Sequence, residues 1–179
     1  MEKNQNLSDN PMEKHPNPPF PKQDQTAPGI ESKLEPKAEQ VKEPYEGSGK
    51  LEGKRAVITS GGSGIGRGVA IAFAREDADV LISYLDTIED EDANLTAEFL
   101  RKAGQKAVLV KGDIQHEAHF QHIIDTAVKE LGGIDILVNN AAFQMAREQI
   151  SDIPLKNGKK PSALTSPQCS LYAKLQSHI

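Results

Sequence analysis

Between residues 55 and 138 the chain alternates two hydrophobic rhythms. Four short apolar runs, residues 56–59 (AVIT), 79–84 (DVLISY), 107–110 (AVLV) and 134–138 (IDILV), have the length and β-branched content of buried strands. Longer stretches with helical periodicity separate them. Residues 65–76 carry Val69, Ile71, Ala72 and Phe73, and residues 118–131 carry Phe120, Ile123, Ile124, Ala127, Val128 and Leu131. Residues 91–102 open on acidic side chains and close on Arg101, Lys102 and then Gly104, as a helix dipole and a glycine cap favour. Strand-helix alternation at this spacing predicts right-handed crossovers and a parallel sheet.

The flanks break this rhythm. Residues 1–50 hold eight of the eleven prolines and are rich in Lys, Glu, Gln and Asn. So little apolar surface cannot offset ordering entropy, which predicts a disordered or extended polar arm. Two readings stay open: a flexible tail, or an arm lying across a partner subunit. Residues 155–179 are polar, contain Pro161 and Pro167, and show no period. The expected layout is therefore an arm at 1–50, a domain at 51–154 and an aberrant tail at 155–179.

Composition narrows the function. A net charge of -5 without a basic stripe argues against nucleic acid as the main partner. The single cysteine, Cys169, provides no disulfide framework, so a reducing cytoplasm is expected. The first ten residues are polar and lack a signal-like apolar stretch. No apolar run approaches the roughly 20 residues that span a membrane.

The chemistry concentrates where the first strand meets the first helix. Thr59, Ser60, Gly61, Gly62, Ser63, Gly64, Ile65 and Gly66 form a glycine-rich turn. Residues without a Cβ let the backbone approach a pyrophosphate, and the helix start supplies N–H donors to it. The strand before and the helix after are the context that this motif requires. It is not a Walker A loop, because no Gly-Lys-Ser/Thr follows.

These residues resemble the short-chain dehydrogenase/reductase family, whose motif after the first strand is Thr-Gly-x-x-x-Gly-x-Gly. Thr59, Gly64 and Gly66 match it, and Ser60 stands in place of the first glycine. The family's Asp after the third strand matches Asp113, followed by Ile114, where the resemblance implies an adenine contact. Its Asn-Asn-Ala-Gly after the fourth strand matches Asn139, Asn140, Ala141 and Ala142, with Ala142 replacing glycine. The segment PYEGSGKLEGK resembles a bacterial subgroup with a proline-rich arm, and the likeness covers residues 1 to about 154. The implied fold is a Rossmann-type doubly wound parallel sheet, of which about four strands, the N-terminal half, are expected here.

Cofactor choice is read after the second strand, where an acidic residue binds ribose hydroxyls and an Arg accepts the extra phosphate of NADP. Here Tyr84, Leu85 and Asp86 precede Glu89, Asp90, Glu91 and Asp92, and the sequence shows no neighbouring cation. NAD is therefore expected, with NADP as the alternative. Asp77 occupies the position where the family usually ends its first helix with glycine, at an expected cost of about 1 kcal/mol. His116, His119 and His122 recur every third residue, but no carboxylate or Cys completes a zinc set. A solvated polar helix face is the expectation, and no metal.

The resemblance implies an NAD(P)-dependent oxidoreductase of small alcohols or carbonyls, a homotetramer when intact. It also implies a catalytic Ser and a Tyr with a Lys four residues later, beyond the fourth strand. Tyr172 and Lys174 have the wrong spacing, and Ser170 lacks a preceding strand, so no catalytic residue is assigned. Permitted codons for residues 157–179, shifted by one base, can encode a family-like helix with Thr-Asn-Ile at the catalytic Asn. A frameshifted, truncated tail is therefore expected. For these 179 residues the readings are an oxidoreductase by descent, a non-catalytic dinucleotide-binding or regulatory fragment, or a non-functional product.

Overall fold

The computed structural model describes residues 17–25, 29–38 and 45–142. The tail at 155–179, with Ser170, Tyr172 and Lys174, lies outside the described residues, as does any consequence of a frame change there. The ordered elements are β1 (Arg55–Thr59), α1 (Gly64–Arg75), β2 (Asp79–Tyr84), α2 (Asp90–Lys102), β3 (Ala107–Lys111), α3 (Glu117–Leu131) and β4 (Ile136–Val138). A 3-10 turn at Glu31–Lys33 lies in the arm, and a second at Thr87–Glu89 leads into α2. The chain pairs all four strands in parallel, in the order β3-β2-β1-β4. This is the Rossmann-like half sheet that the alternation predicts.

Side chains along each strand alternate between two cores, because successive Cβ atoms point to opposite faces of a sheet. Ala56, Ile58, Val80 and Ile82 pack with Ala70, Ile71 and Ala74 of α1 and Leu100 of α2. Val57 and Leu81 pack instead with Phe120, Ile123, Ile124 and Ala127 of α3. The runs are apolar on both faces because both faces are covered. β4 is an edge strand among the described residues, and its three residues are only partly buried. Arg55 fastens its start: the guanidinium donates to Asp135 Oδ2 at 2.7 Å and Oδ1 at 3.0 Å, and to the Gly132 carbonyl at 2.7 Å.

Two helix faces differ from the sequence expectation. The buried positions of α1 are Gly66, Arg67, Ala70, Ile71 and Ala74, while Ala72 is exposed. Val128 of α3 is also exposed. His119 does not join a solvated face. Its Nε2 is buried with no hydrogen-bond partner among the described residues, and its ring centroid lies 6.0 Å from that of His122. Burial, and then the neighbouring His122, pushes its imidazole below the usual range. Among the described residues no three His, Cys, Asp or Glu gather to hold a metal ion. Nor, among those residues, is any helix long and apolar enough to cross a membrane.

The ends of α1 and α2 use one motif with different residues. After α2, Gly104 (φ 91°) donates to the Arg101 carbonyl at 2.9 Å, and Gln105 N reaches Leu100 O at 3.2 Å. After α1, Asp77 (φ 72°) donates to Ala74 O at 3.1 Å, and Ala78 N reaches Phe73 O at 3.0 Å. Both are Schellman closures, whose left-handed residue favours glycine. Asp77→Gly should therefore raise unfolding stability by about 1 kcal/mol in denaturant titrations, net of its exposed contact with Gln105. No gain would mean that Asp77 bears no strain there.

The end of the arm is tied to the same corner. The Glu76 carboxylate accepts from Tyr45 Oη, from Ser48 N at 3.0 Å and from Lys50 N at 2.9 Å. These donors, the Tyr45 hydroxyl first, lower its pKa from 4.5 to about 2. Since the folded value is depressed, this stabilisation is complete above pH 4.5 and is lost as pH falls towards about 2. Glu76→Gln should be less stable than the parent at neutral pH, and the gap should close across that window in acid unfolding curves.

Candidate functional site

Parallel strands end together. The register sets Thr59 beside Ser83, Tyr84 beside Lys111, and Ile58 beside Val138. The loops after all four strands therefore gather along one carboxyl edge. β2 and β4 lie on opposite sides of β1, so the chain changes direction across the sheet at β1, where open α/β sheets place their ligands.

The glycine turn is braced from β4. Thr59 Oγ1 accepts from the backbone N–H groups of Asn140 and Ala141, each at 3.0 Å, and donates to the Val138 carbonyl at 3.4 Å. The Asn140 amide nitrogen donates to the carbonyls of Thr59, at 3.2 Å, and Ser60, at 2.9 Å. Asn140 was expected to contact cofactor; its amide hydrogens go to the turn itself. The turn is tight enough to require glycine at 66, where a Cβ would overlap the Ser60 carbonyl and lie 2.7 Å from Asn140 Nδ2. Ser60 holds a left-handed backbone (φ 53°), which is costly for a residue with a side chain.

The other side of the turn rests on Arg67, which is 4% exposed. Its Nε donates to Gly62 O at 3.1 Å and to Thr96 Oγ1 at 2.8 Å. Its Nη2 reaches Gly62 O at 2.9 Å and Asp92 Oδ1 at 2.9 Å, and its Nη1 reaches Glu31 Oε1 at 2.6 Å. Glu31 comes from the arm, and its Oε2 accepts from Gly64 N. Sequence reasoning missed this cluster, because Arg67 was not among the helix positions read as buried and its acidic partners are distant in the chain. Ser63 is partly buried, while Gly64 and Ile65 are exposed, Ile65 by 81%. The rim of the turn is therefore open.

The remaining expected residues divide into buried and accessible. Tyr84 is buried, and desolvation followed by a hydrogen bond to Asp90 pushes its phenol up to about 12. Ile114 belongs to the core on the α3 side. Both shape the floor of the edge. Leu85 and Asp86 are exposed, and Leu85 N is held by Glu89 Oε2 at 2.9 Å. The Asp86 carboxylate accepts from Thr87 Oγ1 at 2.8 Å and from Thr87 N, which together lower its pKa. Asp113 is half-buried and accepts from Gln115 N at 2.8 Å. Ala142 is exposed beyond Ala141. One expectation is corrected here: a cation does lie close by. Lys111, at the end of β3, sits 3.2 Å from Asp90, and its charge helps to lower the Asp86 pKa. Strand pairing brings it there, so the local sequence around Asp86 could not reveal it.

A family model described as short chain dehydrogenase matches residues 54–160. The chain belongs to this family. Its relatives include the uncharacterized oxidoreductase YhdF of Bacillus subtilis, 43% identical over 151 residues (84% of this chain, 52% of the relative). The uncharacterized oxidoreductase YghA of Escherichia coli is 42% identical over 145 residues (81% and 49%). A short-chain dehydrogenase/reductase structure from Mycobacterium marinum aligns with a TM-score of 0.63 at 29% identity, over 71% of this chain and 50% of that one. A short chain dehydrogenase from Burkholderia cenocepacia in complex with NADP gives 0.63 at 28%, over 72% and 51%. The chain thus spans about half the length of the family members it matches.

Proposed function

We propose that the carboxyl edge binds a nicotinamide dinucleotide, NAD in preference to NADP, as the cofactor half of a short-chain oxidoreductase. The observation that carries this reading is the open rim of the turn at the start of α1, on the same edge as an ionised Asp86. The pyrophosphate would lie against the turn from Thr59 to Gly66 at the helix start, where N–H donors lack partners within the helix. Asp86 would accept from the ribose hydroxyls, with Leu85 beside it. Asp113 would take the adenine, over a floor made by Tyr84 and Ile114. Ala141 and Ala142 would border the nicotinamide side, with Asn140 holding the turn.

NADP remains chemically close, since the Burkholderia structure carries it. Two features favour NAD here. The Asp86 carboxylate would repel a 2′-phosphate, and Lys111 is engaged by Asp90. When bound, the cofactor supplies the hydride, and the whole-length fold transfers it to or from an alcohol or carbonyl. No Tyr-x-x-x-Lys spacing occurs in these 179 residues, so the role proposed for them is to hold the cofactor.

Titration of the folded chain should give saturable NADH binding, tighter than NADPH, and no turnover with alcohols or carbonyls. Asp86→Ser should narrow the preference by about tenfold, the scale of one 1.4 kcal/mol contact. The cofactor reading fails if the folded chain binds neither nucleotide. The preference for NAD fails if NADPH binds more tightly.

A further inference from the structure

We infer that the N-terminal arm is part of the phosphate-binding turn, with Glu31 as its positioning residue. This rests on the dinucleotide reading of the turn. Glu31 stands at the start of the arm's 3-10 turn, and its backbone N–H donates to Asp92 Oδ2 at 2.9 Å. One carboxylate oxygen takes Arg67 Nη1 and the other takes Gly64 N. The Glu31 side chain is only 8% exposed. It is therefore enclosed between the arm, the start of α1 and α2.

Charge balance does not explain this carboxylate. Arg67 is already paired with Asp92, whose Oδ1 lies 2.9 Å from Nη2. What Glu31 adds is geometry. Gly64 has φ 53°, and a glycine populates either sign of φ about equally unless something fixes it. The bond from Gly64 N to Glu31 fixes the peptide that opens α1, and with it the direction of the N–H donors that follow. Holding those donors in place before a ligand arrives lowers the ordering cost of binding. Glu31 is also tied to Asp92 of α2 through its backbone N–H, and the contact leaves Ile65 81% exposed, so the arm does not cover that part of the rim.

The experiment compares the 179-residue chain with Glu31→Ala and Glu31→Gln, measuring ADP and adenosine by competition against NADH fluorescence. Folding is followed by circular dichroism. Adenosine lacks the diphosphate, so its affinity should not change. ADP should weaken by about tenfold in Glu31→Ala, the scale of one lost positioning contact. Glu31→Gln keeps an acceptor oxygen for Gly64 and should fall between parent and Ala. If the Ala variant does not fold, the Gln variant decides alone: ADP weakened with adenosine unchanged supports the inference. A lower melting temperature with an unchanged ratio of ADP to adenosine affinity would make the arm a structural strap and overturn it. Tighter ADP binding would make Glu31 a competitor for the phosphate site and also overturn it. A parent chain that binds no nucleotide removes the cofactor reading, and the inference with it.

Discussion

A guanidinium beneath a loop must have its donors answered, and the Arg67 donors are answered from three directions. Gly62 O belongs to the glycine turn, Asp92 and Thr96 to α2, and Glu31 to the arm. Moving an unpaired guanidinium out of water costs several kcal/mol, so removing any one partner disturbs the others. The turn, the second helix and the arm are therefore joined through this one side chain. Their common point is one residue past the last glycine of the motif.

On its other side the turn depends on Thr59 and Asn140, which join the ends of β1 and β4. Between these supports the backbone adopts conformations that it would not choose alone. Ser60 is left-handed despite its side chain, and Gly66 is packed against the Ser60 carbonyl. Strain of this kind persists only where the surroundings over-determine it, and it gathers at sites that handle ligands. The parallel sheet does the rest, because strands that run the same way deliver their loops to one edge. β4 is the edge strand of that sheet among the described residues, and its side chains are partly buried.

Much of this could be read from the chain because the signals are local. Apolar runs of strand length, a glycine turn between strand and helix, and acidic and basic helix ends all lie within a few residues of what they specify. The strain at Ser60 and Asp77 was legible too, from residues standing where glycine is usual. What escaped were pairings over long distances. Glu31 meets Arg67 across 36 positions, and it comes from a segment whose composition predicted a disordered or extended arm without saying which residues it would touch. Lys111 nears Asp86 only because β3 pairs with β2. Tyr84 and Ile114 were assigned to the site from their places in motifs, yet both are buried, since a motif gives position along the chain and not which face a side chain takes.

The most direct test is residue-by-residue: backbone amide shifts of the isotopically labelled chain during titration with ADP. The largest changes are predicted at Ile65 and Gly66, with smaller ones at Asp86, and little movement at the far end of α3. Saturable binding whose shifts avoid residues 59–66 would contradict the assignment of the glycine turn as the phosphate site.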